Sequence, residues 1–197
     1  IQNHHTAWRR RFAIMGWTSF DQQAARRLDG SAFKDGRPIN RFQLGMYGCG
    51  NEWNWEGDAD QKIENVRLYG KLFAEHLKNK GWFDQVYMYC RDEPLEQQRP
   101  NIIRDIQAFL EGDPGWKGKF MVTSMPSPGN PLLDWIDIWS VKYHWWIDPA
   151  LKADLLQQGK EFWCYVANSP YSPNPGYHTD SLKGYEPRLI KWAAWKM

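Results

Sequence analysis

Gly81–Pro94, GWFDQVYMYCRDEP, is an apolar and aromatic run that ends in two adjacent carboxylates, Asp92 and Glu93, closed by a proline. Its middle, Gln85 to Cys90, reads as a β-strand, and such a strand delivers both acids to one rim of a sheet. Active sites of α/β barrels and doubly wound sheets are built at the carboxyl ends of the strands, so this placement points to chemistry. Asp-Glu-Pro by itself is also an ordinary start for a turn, and its weight comes from what flanks it.

Outward from that strand the chain alternates helical and strand-like patterns. On the N-terminal side Ile63, Val66, Tyr69, Phe73 and Leu77 recur at helical spacing after Asp58 and Asp60, and Gly81 stops the helix. Further back, Arg41–Tyr47 reads as an earlier strand and Phe20–Leu28 as a helix. On the C-terminal side Pro100 suits a first helical position, and Ile102, Ile103, Ile106, Phe109 and Leu110 make one apolar face closed by Gly112. Strands are expected over Lys119–Thr123, Ile136–Tyr143 and Glu161–Ala167. Between the last two, Asp148-Pro149 reads as a helix cap and first residue, and a final helix is expected from Glu186-Pro187 to Met197. About five strands with intervening helices and no internal repeat predict an α/β fold with a parallel sheet. An open sheet accommodates that number. The arrangement also fits the middle-to-C-terminal part of a (β/α)8 TIM barrel, for which 197 residues fall short of the typical ~250. On that reading residues 1–197 are one barrel domain, truncated at both ends.

Composition narrows the function. A net charge of +2, with one short basic cluster at Arg9-Arg10-Arg11, gives no electrostatic footprint for nucleic acid. No apolar run approaches the ~18 residues of a membrane span, and no signal peptide is present. The native start is expected to be missing, which leaves localisation unknown; a leader on the missing part would favour a secreted or periplasmic protein. Cys49, Cys90 and Cys164 lack metal or disulfide spacing and read as buried thiols. The histidines His4, His5, His76, His144 and His178 show no metal-ligand spacing, no phosphate-cradling glycine loop or Gly-x-Ser-x-Gly elbow occurs, and no metal or cofactor is expected. The outlying feature is 13 Trp, 9 Tyr and 9 Phe in a chain of mean hydropathy −0.72. Flat aromatic faces among many polar groups suit sugar rings, whose C–H faces stack on indoles while their hydroxyls hydrogen-bond.

Several segments together resemble the catalytic barrel of glycoside hydrolase family 123 and its uncharacterised relatives. They are FDQQAARRLDGSAF (Phe20–Phe33) with Gly36-Arg37-Pro38, the GWFDQVYMYCRDEP run, DIWSV, EFWCYVANSP, and EPRLIKWAAWK near the end, in the family's order and over most of the chain. The resemblance implies a (β/α)8 barrel whose fourth strand ends in the acid pair, and hydrolysis of terminal β-linked N-acetylgalactosamine, or a related N-acetylhexosamine, by a substrate-assisted retaining mechanism. There the sugar's own acetamido oxygen attacks the anomeric carbon, so no carboxylate nucleophile is needed. Carried over, Asp92 orients the acetamido N–H and stabilises the oxazolinium charge, while Glu93 protonates the glycosidic oxygen and later activates water. The expected partner is a glycan or glycoside.

The residues support a division of labour independently of the family. Two carboxylates at close range resist double ionisation, so one is expected to stay protonated as an acid while the other is an anion. Arg91 would oppose this by stabilising both, unless strand alternation turns it away. Around the pair, Tyr143, His144, Trp145 and Trp146 follow a strand directly and make an aromatic cluster at the expected rim, or else pack a helix start before Pro149. Trp163 and Tyr165 share one face of the next strand, with Asn168 at its end. Tyr165 is the first choice to polarise the acetamido carbonyl, with barrel filling as its rival role. Trp53 and Trp55 are weaker candidates for the floor or wall of a sugar site. Two competing functions stand beside the first. One is a glycosidase for sugars lacking the acetamido group, using one acid of the pair as nucleophile or recruiting Asp137 or Glu52. The other is a carbohydrate-binding barrel without turnover, against which the retention of both acids weighs.

Overall fold

Five strands, β1 (Phe42–Gly45), β2 (Val86–Asp92), β3 (Phe120–Thr123), β4 (Ile138–Lys142) and β5 (Glu161–Tyr165), form one sheet in the order of the sequence. The pairs β2/β3, β3/β4 and β4/β5 are parallel. The computed structural model describes residues 17–45, 58–166, 189–190 and 192. Two compact units make up the chain, Ile1–Phe42 and Gln43–Met197. The first holds helix α1 (Trp17–Leu28), whose exit is fixed where the Ile39 N–H donates to the Arg27 carbonyl at 3.1 Å.

In the second unit, helices α2 (Ala59–Asn79), α3 (Arg99–Gly112) and α4 (Pro149–Gln157) connect successive strands, with only a short 3-10 turn at Pro131–Asp134 between β3 and β4. Local sequence sets their starts. Asp58 accepts the Gln61 N–H, and Asp148 accepts those of Ala150 and Leu151, each filling an N-terminal donor that the helix leaves unpaired. Gly70 and Gly112 let α2 and α3 approach closely. A Cβ at Gly112 would lie 2.3 Å from the Arg67 carbonyl oxygen, and one at Gly70 2.9 Å from the Phe109 ring. Trp116, fully buried, donates its indole N–H to the Gly70 carbonyl at 2.9 Å and packs edge-on against Phe109.

Register assigns the two faces of the sheet. Phe120 lies 6.2 Å from Phe109 of α3, and Lys152 of α4 sits over Phe162 of β5, so α3 and α4 cover the same face. That face carries Val86, Met88, Cys90, Val122, Trp139 and Val141, all essentially inaccessible, and the main hydrophobic core lies there. The opposite face carries Tyr87 and Tyr89 of β2, Met121 and Thr123 of β3, Ser140 and Lys142 of β4, and Trp163 and Tyr165 of β5. In a flat sheet β2 and β5, three spacings apart, would hold their side chains about 14 Å from each other. Yet the rings of Tyr87 and Trp163 meet edge to face at 4.8 Å between centroids. The sheet therefore curls, concave on the Tyr87–Trp163 face.

The strand expected over Gln85–Cys90 runs on to Asp92, so the first acid is itself the last residue of β2. Cys164 departs from the buried-thiol expectation: Cys90 is buried, but Cys164 is exposed, because it points to the helix side of β5, the last strand of the sheet. Cys49 lies outside the described residues, as does most of the expected last helix, of which Leu189, Ile190 and Trp192 are helical.

Candidate active site

A register shift between Tyr89 and Arg91 aims the first acid. In a regular strand, residues three apart point to opposite faces. Here Tyr89 pairs with Met121 and Asp92 with Thr123, so the extra residue turns Asp92 onto the same concave face as Tyr89. Arg91 pairs instead with Val122, on the helix side, which settles its direction: it faces away from Asp92. The Tyr89 hydroxyl donates to Asp92 Oδ1 at 2.7 Å, and the Thr123 hydroxyl donates to the same oxygen at 2.6 Å. Two hydroxyl donors thus fix one oxygen of Asp92.

Glu93 leaves the strand with φ 37, the one non-glycine residue with positive φ among those described. Such a conformation costs a side-chain-bearing residue about 1 kcal/mol or more and persists only where neighbours impose it. Thr123 is that neighbour: its hydroxyl oxygen accepts the Glu93 N–H at 2.8 Å while its proton serves Asp92. One buried threonine therefore ties together both acids, and the turn at Glu93 sends the second carboxylate off in a different direction from the first.

Glu93 reaches across the curled sheet. The Tyr165 hydroxyl donates to its Oε1 at 2.6 Å, and Lys142 Nζ stands 2.8 Å from the same oxygen. Lys142 is largely shielded and lies over the Trp145 ring, 5.0 Å from its centroid. Lys142 and Tyr165 together hold the Glu93 carboxyl below the usual range, outweighing burial and then Asp92, which oppose them. The pair of acids alone predicted a retained proton; the structure supplies a cation that the sequence reading did not place there, and Glu93 rests as an anion. Burial first, then the bond to Glu93, pushes the Tyr165 hydroxyl well above its ordinary value, so it remains a donor.

The aromatic cluster after β4 divides. Tyr143 is buried with its ring against His144, in keeping with a packing role. His144 is held below its ordinary value by burial and then by Lys142, which favours the neutral ring. Trp145 is half-buried beneath Lys142, and Trp146 is 73% exposed at the rim. Asn168, Trp53, Trp55 and Glu52 lie outside the described residues. Asp137 precedes β4 and accepts the Phe120 N–H at 3.1 Å, which puts it at the opposite, amino-end rim from Asp92 and removes it as a recruited nucleophile. Sequence reasoning missed Tyr89, Thr123 and Lys142. Thr123 and Lys142 end their strands, a signal that was available; Tyr89 required the register shift.

No protein-family model and no curated protein matches the chain. Among the described residues no cluster of three or more His, Cys, Asp or Glu is arranged to hold a metal ion, and no helix is long and apolar enough to cross a membrane. A cavity of about 680 Å³ lined by Gln22, Gln23, Arg26, Arg27 and Ala32 belongs to the first unit and holds none of the residues above.

Proposed function

We propose that the chain is the catalytic part of a retaining glycoside hydrolase. It is read as part of a (β/α)8 barrel that releases terminal β-linked N-acetylgalactosamine, or a related N-acetylhexosamine, by substrate-assisted catalysis. One observation carries the reading: two consecutive carboxylates at the carboxyl rim of a curled parallel sheet are gripped by separate donor sets and turned apart at Glu93. Sequential strand order and the curl favour a barrel, since a doubly wound sheet reverses its order at a switch point and carries helices on both faces.

In this reading Asp92, fixed through Oδ1, accepts the acetamido N–H and faces the positive charge that develops as the acetamido oxygen attacks the anomeric carbon. Glu93 gives its proton to the glycosidic oxygen as the C–O bond breaks, then takes one from the water that opens the oxazolinium. The one Tyr165 hydroxyl proton is given to Glu93 Oε1, so in this reading Tyr165 serves the acid and not the acetamido carbonyl, for which the sequence makes it the first choice. Trp145 and Trp146 offer faces for the sugar rings.

The test is hydrolysis of a panel of nitrophenyl and natural glycosides by the purified protein. Glu93→Ala should lose natural substrates yet keep much of the first step on an activated nitrophenyl glycoside, because general acid help is worth ~10² to 10⁴. Asp92→Asn should harm both, and a thiazoline mimic of the cyclised sugar should inhibit the wild type. Equal turnover of glycosides lacking the acetamido group, without thiazoline inhibition, would overturn the mechanism. One observation favours a second reading, in which Glu93 is itself the nucleophile on such sugars: the ammonium of Lys142 and the hydroxyl of Tyr165 both meet its Oε1 and favour the carboxylate form.

A further inference from the structure

Both donors that reach Glu93 across the sheet go to a single oxygen. Tyr165 Oη is 2.6 Å and Lys142 Nζ 2.8 Å from Oε1, from two different strands, and no described residue engages Oε2. A carboxyl oxygen that already accepts an ammonium and a hydroxyl proton is a poor place for a third proton. We propose that Lys142 is a positioning residue that acts through Glu93: with Tyr165 it occupies Oε1 and so makes Oε2 the oxygen that meets the substrate. This deepens the hydrolase reading and rests on it.

The geometry around Lys142 fits that role. Its side chain is 17% exposed, against 49% for Glu93, so the cation is the more firmly held partner. The Trp145 ring lies below it at 5.0 Å, and the Trp145 N–H donates to the Lys142 carbonyl at 2.9 Å, closing the turn that follows β4. The ionisable groups around Glu93 are Asp92 and Tyr89 on β2, Lys142 on β4, Tyr165 on β5 and His144 after β4; Thr123 of β3 holds its backbone. Only Lys142 brings a positive charge within ion-pair distance among the described residues.

The chemical consequence is a strong acid with a chosen direction. As the bond between the anomeric carbon and the glycosidic oxygen breaks, its electron pair passes to that oxygen, which takes the proton from Oε2. The carboxylate left behind is stabilised on Oε1 by the two donors already in place, so no group has to move when the charge appears. Water later returns a proton to Oε2 as its oxygen bonds to the anomeric carbon and the bond from that carbon to the acetamido oxygen breaks, its electron pair returning to the acetamido group. The cost is occupancy, since a stabilised anion is protonated less of the time near neutral pH.

Two measurements on wild type, Lys142→Met and Lys142→Arg test the proposal, with thermal melts confirming folded protein. The first is a carboxyl-carbon NMR titration of Glu93 without substrate, assigned with Glu93→Gln. The midpoint should move to higher pH in Lys142→Met and return towards wild type in Lys142→Arg, and the difference should shrink at high salt. An unmoved midpoint overturns the proposal whether or not any sugar is turned over. The second is the pH profile of kcat/KM on an alkyl glycoside, whose leaving group needs its proton. If Glu93 is the acid, Lys142→Met carries the basic limb to higher pH; a loss of rate that leaves both limbs in place means Lys142 only packs, and overturns the proposal. If the acidic limb moves instead, Lys142 positions Glu93 as proposed but Glu93 works as an anion, and it is the acid assignment that fails.

Discussion

Replacing Asp105 by asparagine should stabilise the protein above neutral pH and leave stability nearly unaltered in acid. Asp105 sits on α3 at 1% exposure, with Arg104 3.4 Å from its Oδ1; its Oδ2 and the Arg104 Nε are buried without hydrogen-bond partners among the described residues. Burial pushes its carboxyl up from 3.8 to about 6, against the weaker pull of Arg104. A raised value in an acid means that the fold prefers the neutral form. Stability is therefore intact below about 3.8 and is lost progressively as pH rises to about 6, where the folded protein also gives up the proton. At about 1.4 kcal/mol per tenfold, the full penalty is about 3 kcal/mol, of which about half has accrued by about pH 5 and the rest by about pH 8. Urea unfolding of wild type and Asp105→Asn at both pH values isolates the effect, since other titrating groups cancel in the difference. The variant should gain about 1.5 kcal/mol more at the higher pH than at the lower. If it instead loses stability, and more so at high pH, the ion pair with Arg104 outweighs desolvation and the reasoning fails.

Three further substitutions probe packing and site separately. Gly112→Ala, although it improves helix propensity, should cost about 1 to 3 kcal/mol in denaturant unfolding, because its Cβ meets the Arg67 carbonyl oxygen at 2.3 Å and backbone cannot step aside cheaply. Thr123→Val keeps shape but leaves the Glu93 N–H unpaired and removes a donor from Asp92; kcat/KM should fall about 10- to 100-fold, and an unchanged value would deny Thr123 its role in holding the acids. Trp146→Ala should move stability by no more than about 0.5 kcal/mol, its side chain being 73% exposed, while raising KM for a glycan that stacks on it.

The elements were legible in the sequence because each states its period locally. The helical spacing after Asp58, the Asp148-Pro149 cap and the apolar run before Asp92 all fall where the structure has the corresponding element. Alternation along a strand was equally readable: Trp163 and Tyr165 do share a face. The missed residues depend on relations between strands. Nothing in VYMYCRD announces the register shift that brings Asp92 onto the face of Tyr89. The sequence marks Lys142 only as a strand end; the Lys142–Tyr165 register and the curl are what bring it to Glu93. The expectation of a retained proton was drawn for two isolated acids, and Lys142, a third charge that no local pattern brings to them, favours the ionised form of Glu93.

The curl is what brings distant side chains together at the rim. Glu93 and Tyr165 are 72 residues apart in sequence and three strands apart in the sheet, yet their side chains hydrogen-bond. A layer deeper, Tyr87 and Trp163 meet over the same span, so the polar contact at the rim rests on an aromatic one below it. Curvature draws concave-face side chains together and spreads those on the helix side, which explains how Tyr165 is tied into the site while its neighbour Cys164 stays exposed. It also revises what the tryptophans are for. Trp116 and Trp139 are fully buried and serve the core, Trp163 braces the curled face, and Trp145 and Trp146 stand at the rim. Aromatic richness here supplies first the bulk that holds facing strands in a curved arrangement, and only at the ends of the strands an accessible aromatic face. The two acids are held beside their cross-sheet partners because the layers beneath them are filled.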